Sequence, residues 1–97
     1  MIQVKTNQDH DKYWILNKKA EDSYAERFFY VFVNLNKGGV PKFFIVPSKD
    51  VAKFIKKDHR DYLKEVGKRG RKRKDSPMRK FRDSERQYYD RWDLLSL

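Results

Sequence analysis

At 97 residues the chain has room for one domain and not two, and 24 Lys and Arg against 14 Asp and Glu leave it a formal charge of +10. A surplus of that size draws in polyanions and speeds association with them, so nucleic acid, DNA or RNA, is the expected partner. Three other classes are disfavoured: the absence of cysteine excludes disulfides and thiolate metal sites and suits a reducing cytoplasm, the longest apolar run (residues 28–33) is too short to span a bilayer, and no segment sets a broad apolar face against a basic one as a membrane-surface helix would.

Residues 2–6 predict a short strand, with Gln3 and Lys5 on one face and Ile2 and Val4 on the other. Residues 7–12 are polar and turn-like, and residues 13–16 form a short apolar run. Asn17 is placed to cap a helix over about 18–26, with Ala20 and Tyr24 on its buried side. The run Phe28-Phe29-Tyr30-Val31-Phe32-Val33 is apolar on both alternating faces, which predicts a central strand covered on both sides. Asn36-Lys37-Gly38-Gly39 supplies turn chemistry, and a second strand over 42–46 completes a hairpin with a loop of about five residues.

Pro47 and Ser48 open a long helix, with Ser48 as the expected cap and Asp50 in the favourable first turn. Val51, Phe54, Ile55, Tyr62, Leu63 and Val66 make its apolar stripe, and Gly67 ends it. Residues 67–82 read as a basic, exposed loop. Ser84 and Gln87 form a capping-box pair for a last helix that carries Tyr88, Trp92 and Leu95 back to the core. The aromatic side chains, 15% of the chain, cluster with the other apolar residues in two blocks, so a core forms despite the high charge. The expected fold class is α+β, a small mixed β-sheet flanked by helices.

Two groups of residues carry chemistry. Gln3, Val4 and Lys5 form the first. Alone, such a triplet is common and reads as a solvated strand face. The segment Ile2-Gln3-Val4-Lys5-Thr6, however, resembles the third core strand of the PD-(D/E)XK, or restriction-endonuclease-like, superfamily, in which the acidic position of the (D/E)-x-K motif is sometimes Gln. Residues 29–36, residues 44–49 and Met78-Arg79-Lys80-Phe81-Arg82-Asp83 resemble a small bacterial branch of that superfamily whose members mostly lack an assigned activity. The resemblance implies catalytic roles for Gln3 and Lys5, and Mg²⁺ held by Gln3 and the Val4 carbonyl. A divalent cation polarises a phosphodiester and acidifies the attacking water, and a lysine beside it offsets the developing charge.

The superfamily also places a metal-binding Asp on the strand before this one, and only Met1 precedes Ile2 here. The expectation is therefore an incomplete core, the C-terminal portion of a larger domain, inactive alone unless another acid is supplied. Asp9 and Asp11 lie downstream in a turn that nothing in the sequence fixes. A strand deprived of its neighbour leaves an open edge, so a homodimer through the N-terminal strand, or a protein-interaction role without enzymatic activity, is also expected. His10 and His59 are too few and too far apart for a zinc site, and His59 reads as a surface residue.

The second group is cationic. Lys68, Arg69, Arg71, Lys72, Arg73 and Lys74, with Arg79, Lys80 and Arg82, are expected to contact phosphates and so set affinity without reading sequence. The same run also reads as a solvated charge cluster. Trp14, Tyr88 and Trp92 are candidates to stack on bases, although their spacing fits core positions as well.

Overall fold

A computed structural model describes residues 1–7, 13–65 and 75–95. Three strands form the main sheet in the order β1 (Ile2–Asn7), β3 (Phe29–Asn34), β4 (Lys42–Pro47). β1 runs parallel to β3, with Gln3 opposite Tyr30 and Lys5 opposite Phe32, and β3 and β4 form an antiparallel hairpin. Between β1 and β3 the chain makes β2 (Trp14–Asn17), which pairs antiparallel with the distant β5 (Met78–Phe81) as a separate two-stranded sheet. The 17-residue helix α1 (Ser48–Lys64) follows β4 directly. The fold is α+β, a small mixed sheet with one long helix.

The apolar run of β3 is covered on both faces, as its sequence predicts. On one face Tyr30 and Phe32 pack with Phe44 and Val46, with Val51 and Ile55 of α1, and with Trp14, Leu16 and Phe81 of the small sheet. Phe32 sits at the centre, fully buried, stacked on Phe81 at 4.7 Å and on Tyr30 at 5.4 Å between ring centroids. Burial of a side chain of that size stabilises the fold by about 1.5–3 kcal/mol. The other face, Val31, Val33 and Ile45, is flanked by Phe29, Phe43, Leu94 and Leu95. Trp14 belongs to the core rather than to a stacking surface, and its Nε1–H donates to the Val33 carbonyl at 3.0 Å.

Four local expectations are corrected. The helix over 18–26 is a single 3₁₀ turn, Lys18–Glu21. Asn17 does cap it, its Oδ1 accepting from Lys19 N–H at 3.0 Å, but Tyr24 is exposed. The physical reason lies at Ser48, whose hydroxyl accepts from Ala25 N–H (3.1 Å) and donates to the Ala25 carbonyl (3.0 Å), while Ser48 N–H donates to the Phe28 carbonyl. A helix reaching residue 26 would need the Ala25 N–H for its own bond to the Glu21 carbonyl. Ser48 is consequently a buried clamp and not a cap; Pro47 holds the cap position and makes no side-chain cap bond.

The stretch 67–82 is not loop throughout, because residues 78–81 form β5. Val66 and Gly67 lie outside the described residues. The last helix is one 3₁₀ turn, Trp92–Leu95. In place of a Ser84–Gln87 box, the Asp83 carboxylate accepts from both Gln87 N–H (2.9 Å) and Tyr88 N–H (2.7 Å). Arg86 and Asp90 have φ of 55° and 53°, left-handed conformations that interrupt an α-helix. The segment instead runs along the outer edge of β4, Ile45 N–H donating to the Tyr88 carbonyl and Asp90 N–H to the Phe43 carbonyl. That leaves β1 as the open edge of the main sheet among the described residues.

Candidate nucleic-acid interface

Strand alternation puts the side chains of Gln3 and Lys5 on the face of β1 that looks toward β2. There they line a groove of about 280 Å³ together with Asn17, Lys19, Ser23 and Tyr30. β1 supplies the first pair, and the Asn17-capped turn presents Lys19 across from it. Among the described residues no carboxylate lines this groove. Its polar groups, two ammoniums, two amides and two hydroxyls set among the apolar Met1, Leu16, Ala20 and Phe28, suit an anion's oxygens rather than a cation.

The Val4 carbonyl points elsewhere. The Met1 and Asn7 carbonyls accept from Phe29 and Leu35 N–H, so the odd-numbered carbonyls of β1 face β3. By alternation the Val4 carbonyl faces the open edge. A hard divalent cation is held by carboxylates, and among the described residues no group of three His, Asp or Glu side chains converges. The donors among the described residues do not fit Mg²⁺. Asp9 and Asp11 lie outside the described residues.

The expected phosphate-binding cations separate into three kinds. Lys68, Arg69, Arg71, Lys72, Arg73 and Lys74 lie outside the described residues. Arg79 is buried, its Nε donating to Glu21 Oε2 at 2.7 Å and its Nη1 to the Ser76 carbonyl at 2.6 Å. Its guanidinium is engaged inside the protein and is not free for a phosphate. Lys80 and Arg82 are only partly held: Lys80 Nζ sits 4.5 Å above the Tyr13 ring, and Arg82 Nη2 is 3.0 Å from Asp58 Oδ1. Trp92 is exposed and leans on Phe43, while Tyr88 is half-buried with its hydroxyl donating to Asp50 Oδ2 at 2.8 Å.

His59 is not a free surface group. Its side chain is 11% exposed, with Nε2 2.7 Å from Asp75 Oδ1, and its ring stacks on Tyr62. The hydrogen bond from His59 is the main reason the Asp75 carboxyl is held below the usual carboxylate range. His59, with Tyr62, Ser76 and Met78, lines a small cavity of about 80 Å³. Glu65 N–H donates to the Asp61 carbonyl. The described residues flanking the basic segment, Glu65 and Asp75, therefore both contact the C-terminal half of α1.

Lys19, Ser23 and Asp75 escaped sequence reasoning, and His59 was misplaced on the surface, because each meets its partners only through tertiary structure. Among the described residues no helix is long and apolar enough to cross a membrane. The chain matches no family model, no curated protein and no solved structure.

Proposed function

We propose that this protein is a cytoplasmic nucleic-acid-binding domain, related to metal-dependent nucleases of the PD-(D/E)XK kind, that does not cleave nucleic acid by itself. The observation that carries this reading is the groove at β1. It keeps the Gln3–Lys5 pair on one face and adds Lys19, Asn17 and Ser23, with no carboxylate among the described residues. Cations and hydrogen-bond donors in that arrangement suit a phosphate, and no acid among the described residues is placed there to activate a water on it. The +10 surplus adds the long-range attraction, and Arg79 is the one buried cation among the described residues. The cations of residues 68–74 extend the contact in this reading.

Binding is tested by fluorescence anisotropy with labelled DNA and RNA, and cleavage by incubation with Mg²⁺. Replacing Lys5 and Lys19 with Ala should weaken binding, as should replacing Arg69, Arg71, Lys72 and Arg73. The unaltered protein should leave the substrate intact. Efficient Mg²⁺-dependent cleavage that Lys5→Ala abolishes contradicts the inactive-domain reading.

A second reading is favoured by the outer edge of β1. Ile2 and Val4 on that strand are 53% and 59% exposed. An open strand beside exposed apolar side chains is a template for a partner strand, and a second copy of the chain is self-complementary there. In this reading the protein forms a homodimer through its N-terminal strand.

A further inference from the structure

The solvent face of α1 carries Lys49, Lys53, Lys56, Arg60 and Lys64, all exposed. Their spacing of four, three, four and four residues keeps them in register with the helix. At 3.6 residues per turn the five fall within an arc of about 80°, and the row extends for about 22 Å. No other residue of α1 falls inside that arc. Lys57 stands at its margin, paired with Asp61 at 3.1 Å. Among the described residues none of the five has a carboxylate partner. Val51 and Ile55, on the buried side of the helix, lie opposite and fix the direction in which the row points. Contrary to the sequence expectation, α1 therefore sets an apolar face against a basic one, but that apolar face packs into the core.

This row has a cost that a merely soluble helix avoids. Like charges at i,i+4 destabilise a helix by about 0.2–0.5 kcal/mol per pair, and Lys49–Lys53, Lys56–Arg60 and Arg60–Lys64 repeat that spacing along the row. The sequence has acids available on the same helix, but Asp50, Asp58 and Asp61 all lie off the row: Asp50 accepts from Tyr88, Asp58 pairs with Arg82 and Asp61 with Lys57.

We infer that the outer face of α1 is a second, separate contact surface that lies along the phosphate backbone of a duplex nucleic acid. The inference rests on the nucleic-acid-binding reading and adds the surface and the form of the ligand. A straight, rigid row with about one cation per helical turn meets a regularly spaced line of phosphates. The row carries no aromatic side chain, and single-strand binders depend on aromatic platforms for stacking. Contact through phosphates alone does not read sequence. None of the five residues lines the β1 groove.

The test replaces all five with Gln, whose helix propensity is close to that of Lys and Arg. A milder variant carries only Lys53→Gln, Lys56→Gln and Arg60→Gln. A control removes the same number of charges elsewhere: Lys18→Gln, Arg27→Gln, Lys37→Gln, Lys42→Gln and Arg86→Gln. Circular dichroism confirms folding, and anisotropy with a 20-base-pair duplex is measured across a salt series. Each lost phosphate contact lowers the slope of log K against log salt by about 0.9. The slope should fall by about 4 in the five-site variant and by about 2 to 3 in the milder one, and by less than about 1 in the control. Equal losses in row variant and control overturn the surface. Equal losses for a single strand and for the duplex overturn the duplex assignment, and so does competition by phosphatidylserine vesicles as strong as that by duplex. Failure of the unaltered protein to bind any nucleic acid overturns the underlying reading as well, which separates the two failures.

Discussion

Arg79 shows how far charge alone misplaces a residue. In the sequence it belongs to a basic stretch, but strand alternation in β5 turns it inward opposite Leu16, where Glu21 and two backbone carbonyls accept its hydrogen bonds. Removing one partner of a buried ion pair leaves the other charge uncompensated, at a cost of about 3 kcal/mol or more. Arg79→Ala should therefore lower the urea midpoint markedly, whereas alanine at Lys80 should change stability by no more than about 0.5 kcal/mol. Similar midpoints for the two variants would show that the Glu21 contact contributes nothing. Tyr88 gives a pH dependence. Burial, and secondarily its bond to Asp50, push its hydroxyl up from 10.0 to about 12. A raised folded-state value means that this contribution is fully present below pH 10 and is lost as pH climbs to about 12. Over that window the unaltered protein should lose more stability than Tyr88→Phe does, as followed by urea unfolding. Parallel losses would contradict the assignment.

Among the elements, β3, β4 and α1 were legible because each is long and strongly patterned: an apolar run, a facing run across an Asn-Gly-rich turn, and a 3.6-residue stripe. β2 and β5 were not. Each has four residues, their pairing spans more than sixty positions, and β5 sets two adjacent charges, Arg79 and Lys80, between Met78 and Phe81, so its charges conceal its strand character. The Gln3–Lys5 face was legible from alternation alone, but Lys19 and Ser23 across the groove depend on a turn that Ser48 holds from 23 or more positions away. The cationic row on α1 is written in its i,i+4,i+7 spacing, yet it is overlooked when the helix is searched only for its apolar side. The open edge of β1 leads to a prediction of its own. Light scattering at moderate salt should show a dimer, and Val4→Lys, which adds a second charge to an exposed position of the edge strand, should return it to a monomer. A monomer at all concentrations removes the second reading.

For the whole molecule, the cationic surplus is the dominant physical fact, and it is distributed rather than concentrated. The β1 groove offers Lys5 and Lys19, the outer face of α1 offers five aligned cations, and Lys80 and Arg82 stand near the return of the chain from the basic segment. If these surfaces meet phosphates, binding must release counterions, and the number released is read from the salt dependence. The most direct measurement is therefore the affinity of the unaltered protein for a 20-base-pair duplex of arbitrary sequence, followed by anisotropy between about 50 and 200 mM salt. The expected result is a straight line of log K against log salt with a slope of about −5 or steeper, unchanged when the duplex sequence is scrambled. A flat line, or no binding at the lowest salt, contradicts the account.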